Sequence, residues 1–157
     1  MNPPLRTNED VAAIIAGLKD GTLDCIATDH APHAGYEKEQ EFDRAPFGII
    51  GIETSLATSL KYLSPHLSLN QIIEKMTIGA SRVLGLESGT LKVGARAEVC
   101  VFAPDEKWIL DKTKLSSKSK NTPFGGWQLK GGVAATIVGG RTVYVNDAAE
   151  GASRFQC

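Results

Sequence analysis

In the stretch Thr28-Asp29-His30-Ala31-Pro32-His33, one carboxylate and two imidazoles fall within five residues, directly after a short apolar run. A carboxylate held at the end of a strand can ligate zinc through one oxygen while the other takes a proton from water. An imidazole four residues on can reach a substrate anion. Strand ends are also where barrel enzymes keep their catalytic groups. The same residues fit a second reading, a polar turn in which Asp29 caps the following segment and both histidines are solvated.

Two further stretches invite chemistry. In Met1-Asn2-Pro3-Pro4-Leu5-Arg6 the tandem prolines hold the backbone extended, so that the Asn2 amide and the Arg6 guanidinium could be presented rigidly; a stiff domain start is the alternative. Pro46-Phe47-Gly48 could bring backbone N–H and C=O groups close to a ligand, or could end a loop with Phe47 as a core anchor. His66 beside Pro65 reads as an exposed loop residue, and Cys25 as small core filler rather than a nucleophile. Trp108 and Trp127 read as packing residues. There is no GxGxxG, P-loop or GxSxG motif, so nucleotide-binding and serine-hydrolase readings have nothing to stand on.

These candidates must be positioned by local elements. Thr7 and Asp10 resemble a capping box, and Val11, Ile14, Ile15 and Leu18 recur on one helical face, predicting a helix over 8–19. Leu23 to Thr28 has the composition of a buried parallel strand, with Asp29 at its C-terminal end. The polar stretch from His33 to Arg44 reads as a long surface loop. Ile52, Leu56, Leu60 and Leu63 predict a helix over 50–63, and Ser68 with Gln71 opens another that continues through Leu84 to Gly85. Beyond Gly85 the period changes to two. Glu98 to Phe102 and Ala135 to Val145 read as strands, the latter split by a hairpin turn at Gly139-Gly140. Lys112 to Thr122 reads as an exposed connection, and the tail after Asn146 as frayed. The expected divisions are thus 1–86, the end of an α/β unit, 87–146, a small β module, and 147–157, a flexible tail.

The 157 residues are 42% hydrophobic and 22% charged, enough to bury one core. With 17 basic against 18 acidic residues, no charge excess exists to gather nucleic acid or an anionic membrane. Cys25, Cys100 and Cys157 lie far apart without CxxC spacing, which suits a reducing cytoplasm better than a disulfide framework. No apolar run approaches the length of a membrane span, and the N-terminus has no signal-peptide core.

Taken together, Asn2-Pro-Pro-Leu-Arg6, Asp24 to His33, Glu37-Lys38, Pro46-Phe47-Gly48 and Gly51-Ile-Glu-Thr54 resemble, in order and spacing, the C-terminal third of bacterial-type dihydroorotases. Ala80 to Leu86, Gly89 to Gly94 and Ala97-Glu98 look like the passage where amidohydrolases leave their barrel for a small β domain. Glu98 departs from the family, which more often has Asp there, and this touches only a local turn. The resemblance implies an α/β fold: the C-terminal portion of a TIM-type (β/α)8 barrel followed by strands of a small β-sandwich. It implies zinc-dependent, reversible hydrolysis of L-dihydroorotate to N-carbamoyl-L-aspartate. Asp29 would ligate zinc and act as general base, His33 and Asn2 would bind the substrate's carboxylate and ring, and Phe47 and Gly48 would offer backbone contacts. An anionic substrate needs groups that hold it without competing for the metal.

Allantoinases and hydantoinases share the proline pair and the Asp-His step, but usually carry other residues at the positions of Asn2 and His33. The family's HxH pair, its bridging Asp or carboxylated Lys and two further histidines precede the Asn-Pro-Pro segment, and none is present here. One carboxylate cannot hold a catalytic zinc that takes three protein ligands, so inactivity alone is expected. An incomplete barrel would leave apolar faces open. The expectation is therefore a partner: the missing N-terminal part, further copies of the chain, or, for a catalytically silent subunit, aspartate transcarbamoylase.

Overall fold

In a computed structural model that describes residues 3–146, the N-terminal helix α1 spans Asn8–Asp20. Its head is closed by the expected box, in which the Thr7 hydroxyl accepts from the Asp10 amide and the Asp10 side chain accepts from the Thr7 amide at 2.9 Å. Leu18 is buried, whereas Val11 and Ile14 stay about half exposed because no described element covers that end of the helix. Met1, Asn2 and the predicted tail lie outside the described residues.

The strand expected over Leu23 to Thr28 does not form a ladder. A strand exists only where a neighbour pairs with its backbone, and the Ile26 amide instead donates to the Lys75 carbonyl at 3.0 Å while the Lys75 ammonium takes the Leu23 carbonyl. The isolated bridge of His30 with Ile49 is the one parallel pairing among the described residues. The predicted loop after His33 also contains structure. Helix α2 spans Gly35–Lys38, and it forms because the Glu37 carboxylate reaches back to the Ala34 amide at 2.8 Å, supplying an acceptor that the short segment otherwise lacks.

Helix α3 (Ser55–Leu63) follows a 3-10 turn at Ile52–Thr54, and α4 (Leu69–Met76) opens with the predicted Ser68 and Gln71 box. The helix predicted to run on through Leu84 breaks at Thr77, and α5 (Ile78–Leu84) is a separate element. Leu18, Leu60, Leu67 and Ile72 form one buried cluster, so α1, α3 and α4 share a core.

Three antiparallel strands make the second half: β1 (Val99–Ile109), β2 (Gln128–Val138) and β3 (Arg141–Val145), ordered β1-β2-β3. They are the only sheet among the described residues. The β2–β3 turn falls at Gly139-Gly140 as expected, with φ of 57° and 79°, both positive as a two-residue hairpin of this twist requires. Glu98 caps that turn by accepting the Gly139 amide at 3.2 Å, and it pairs with Arg96. Ala57 of α3 packs with Leu110 and Leu129, and Trp108 and Trp127 close around this second cluster as expected. Lys61 lies 5.1 Å above the Trp127 ring, tying α3 to the sheet.

Candidate functional site

Asp29 has φ 42° and is the only non-glycine residue in the left-handed region among the described residues. An L-residue pays roughly 1–2 kcal/mol for that conformation, although Asp tolerates it better than most. Its carboxylate is exposed and makes no hydrogen bond or ion pair within the described structure. The polar-turn reading, with Asp29 as a cap, is therefore not what the geometry shows.

The histidine beside it is committed elsewhere. His30 Nδ1 accepts from the Gly51 amide at 3.1 Å and from the Ile52 amide at 3.4 Å, capping the 3-10 turn that leads into α3. An accepting Nδ1 carries no proton, so the neutral ring holds its hydrogen on Nε2.

His33 is gripped on several sides. Its amide donates to Asn121 Oδ1 at 3.4 Å, its carbonyl accepts from the Ser119 hydroxyl, and its Nδ1 lies 3.7 Å from Glu37 Oε2. The ring's other nitrogen, Nε2, faces Gly48, where an added Cβ would sit 3.5 Å away. Gly48 has φ 106°, and such a Cβ would also come within 2.5 Å of Ala31 Cβ, so only glycine fits the approach. Phe47 is exposed rather than a core anchor, and neither its amide nor that of Gly48 has a hydrogen-bond partner among the described residues.

Thus the fold brings His33 and the Phe47-Gly48 turn together, with Asp29 four residues ahead of His33 on the same loop. Asn2 lies outside the described residues, and Arg6 is turned to Asp10 at 3.6 Å, supporting α1. Two residues that sequence reasoning gave no role enter the site. Lys38 Nζ donates to the carbonyls of Pro46 at 2.7 Å and Gly48 at 3.1 Å. Asn121 Nδ2 donates to those of Ala31 at 2.9 Å and Gly48 at 3.3 Å. The connection around Asn121 is consequently part-buried, and Thr122 fully so, rather than exposed. The one signal for it was an amide, able to donate and accept at once, closing a tract of Lys and Ser.

Among the described residues, no group of three or more His, Cys, Asp or Glu side chains could hold a metal ion. Asp29 could supply one ligand, short of the three that a catalytic zinc takes. A cleft of 630 Å³ between α3 and the sheet includes none of Asp29, His33, Phe47 or Gly48. No described helix is long and apolar enough to cross a membrane.

The sequence profile of the amidohydrolase family matches residues 2–143. The chain belongs to the amidohydrolase family. This amidohydrolase chain is 52% identical over 145 residues to the dihydroorotase of Geobacter metallireducens, an alignment covering 92% of the chain and 34% of that relative. It is 53% identical over 145 residues to the dihydroorotase of Pelobacter propionicus, with the same coverage of 92% and 34%. The chain thus spans about a third of the length of the curated relatives it matches. Among solved structures, the amidohydrolase chain superposes on L-hydantoinase (dihydropyrimidinase) from Arthrobacter aurescens with TM-score 0.83 at 29% identity, covering 91% of this chain and 33% of that one. D-hydantoinase (dihydropyrimidinase) from Thermus sp. gives TM-score 0.81 at 25% identity, covering 90% and 32%.

Proposed function

We propose that this amidohydrolase chain is the C-terminal portion of a dihydroorotase and supplies the general base and most of the substrate-binding groups of its active site. In this reading residues 1–86 complete a (β/α)8 barrel and 87–146 form its small β domain. Supporting it above all is the left-handed Asp29, with a carboxylate that has no partner among the described residues, four residues before a His33 whose Nε2 faces the Gly48 turn. Strained backbone at a polar residue with no structural role is characteristic of functional sites.

Hydrolysis of a cyclic amide adds water across the ring C–N bond. Asp29 accepts a proton from the attacking water and returns one to the ring nitrogen as the bond breaks, and the reverse sequence closes N-carbamoyl-L-aspartate. His33, with its Nδ1 side occupied by Glu37, offers Nε2 to the substrate carboxylate, assisted by Asn2. The amides of Phe47 and Gly48, which have no partner among the described residues, offer hydrogen bonds to the ring. Zinc, when bound, would polarise the scissile carbonyl, with Asp29 as one of its ligands and the others contributed from outside the described residues.

The hydantoinases (dihydropyrimidinases) among the solved neighbours point to hydantoin or dihydropyrimidine rings instead. Identity of 52% to dihydroorotases against 29% to L-hydantoinase favours dihydroorotate. The experiment is hydrolysis of L-dihydroorotate, hydantoin and dihydrouracil by the chain with zinc, alone and mixed with a polypeptide comprising the remaining two thirds of a dihydroorotase. Turnover of dihydroorotate in the mixture, lost in Asp29→Asn, is expected. Turnover of hydantoin or dihydrouracil in preference would transfer the assignment to the other substrate class.

A further inference from the structure

Asp29, His33, Phe47 and Gly48 all lie on loops, and loops position reacting groups only when something rigid holds them. At this site the holding is done by two side chains that converge on one carbonyl. Gly48 O accepts Lys38 Nζ at 3.1 Å and Asn121 Nδ2 at 3.3 Å. The same ammonium takes Pro46 O at 2.7 Å, so carbonyls two residues apart are drawn to a single cation. The same amide takes Ala31 O at 2.9 Å, while its oxygen accepts the His33 amide at 3.4 Å.

The consequence for the open groups follows from peptide geometry. In a planar trans peptide the N–H is antiparallel to the carbonyl, so the Phe47 N–H faces away from the ammonium that holds Pro46 O. That amide has no hydrogen-bond partner among the described residues. Lys38 is also the last residue of α2, and Glu37 beside it lies 3.7 Å from His33 Nδ1. One short helix thereby sets the Phe47-Gly48 turn through Lys38 and the His33 ring through Glu37. Asn121, arriving from the connection between β1 and β2, locks the same two segments to each other.

We propose that Lys38 and Asn121 are positioning residues, a clamp on the Pro46 and Gly48 carbonyls that keeps the Phe47 amide and His33 Nε2 turned toward one substrate space. This rests on the dihydroorotase reading for the identity of the substrate, though the clamp itself does not. Both residues act through backbone and touch no substrate. Their removal should weaken binding of the substrate in ground and transition states alike, raising KM rather than lowering kcat.

The test uses Lys38→Met, which keeps the long stem without the charge, Lys38→Arg, whose guanidinium can still donate to two carbonyls, and Asn121→Asp, which keeps the acceptor and removes the donor. In the full chain without substrate or metal, carbonyl 13C resonances of Pro46 and Gly48 should move upfield in Lys38→Met and recover in Lys38→Arg; in Asn121→Asp the Ala31 and Gly48 resonances should move. In the complemented enzyme, Lys38→Met should raise KM for L-dihydroorotate about tenfold, equivalent to about 1.4 kcal/mol, with kcat little changed. Lys38→Arg should restore most of it, which a variant that merely loosened the fold would not. Unmoved carbonyl resonances overturn the clamp. Moved resonances with an unchanged KM, or a loss confined to kcat, overturn the positioning role. If the unsubstituted protein turns over no dihydroorotate, the substrate reading fails, and the carbonyl resonances still decide the clamp.

Discussion

His30 Nδ1 accepts the Gly51 amide proton at 3.1 Å, joining the loop that carries Asp29 to the start of the segment leading into α3. The neighbouring imidazoles thus divide their work: His30 is an internal cap, and His33 keeps a nitrogen directed at Gly48. His30→Ala leaves the Gly51 amide without its acceptor and should cost about 1–2 kcal/mol, read as a lower urea midpoint with an unchanged slope. A variant as stable as the parent would mean that water replaces the ring.

Asp29 lies in the left-handed region, so its backbone and its carboxylate can be separated by substitution. Asp29→Gly should be more stable than Asp29→Ala by about 1 kcal/mol, since only the alanine Cβ opposes the positive φ. Both, like Asp29→Asn, should abolish turnover in the complemented enzyme. Thermal melts and L-dihydroorotate assays on the three variants distinguish backbone from chemistry.

Gly48→Ala puts a Cβ 2.5 Å from Ala31 Cβ at a φ of 106°. The added methyl should destabilise by about 1–3 kcal/mol and impair substrate binding more than Gly21→Ala, where the φ is also positive but nothing lies within reach. Denaturant midpoints compared across the two variants isolate the clash from the shared backbone cost.

Hydrogen bonds from the Thr7 hydroxyl and then the Thr7 backbone hold the exposed Asp10 carboxyl below its ordinary range. A carboxyl whose value falls on folding adds stability above its unfolded value and loses it as pH drops through the folded one. Acidification below the ordinary carboxylate range should therefore loosen the head of α1. Amide exchange in the first turn of α1 should quicken with acid beyond its intrinsic dependence, and Asp10→Asn should remove that excess.

Much of this was readable from the chain itself. Both side-chain capping boxes, at Thr7 and Ser68, are local patterns of three-residue span, and the Gly139-Gly140 hairpin needs only two residues free to take positive φ. The nearness of Asp29 to His33 is likewise contained in their spacing. What composition could not convey is pairing. Leu23 to Thr28 has the residues of a parallel strand, yet a strand exists only where neighbours complete its ladder, and here Lys75 on α4 takes that place.

The division of roles between His30 and His33 was decided the same way. Two imidazoles three residues apart are equivalent in one dimension, and they differ because the Gly51 amide reaches the first while Glu37 and Gly48 flank the second. Asn121 is the extreme case. It stands 88 residues from His33 in a tract that reads as solvated, and the packing of the β1–β2 connection against the loops makes its amide the junction of the site. Local hydrogen-bonding patterns are short-ranged and hence written in the sequence, whereas the partner of a lone side chain is chosen by which distant segment the core brings beside it.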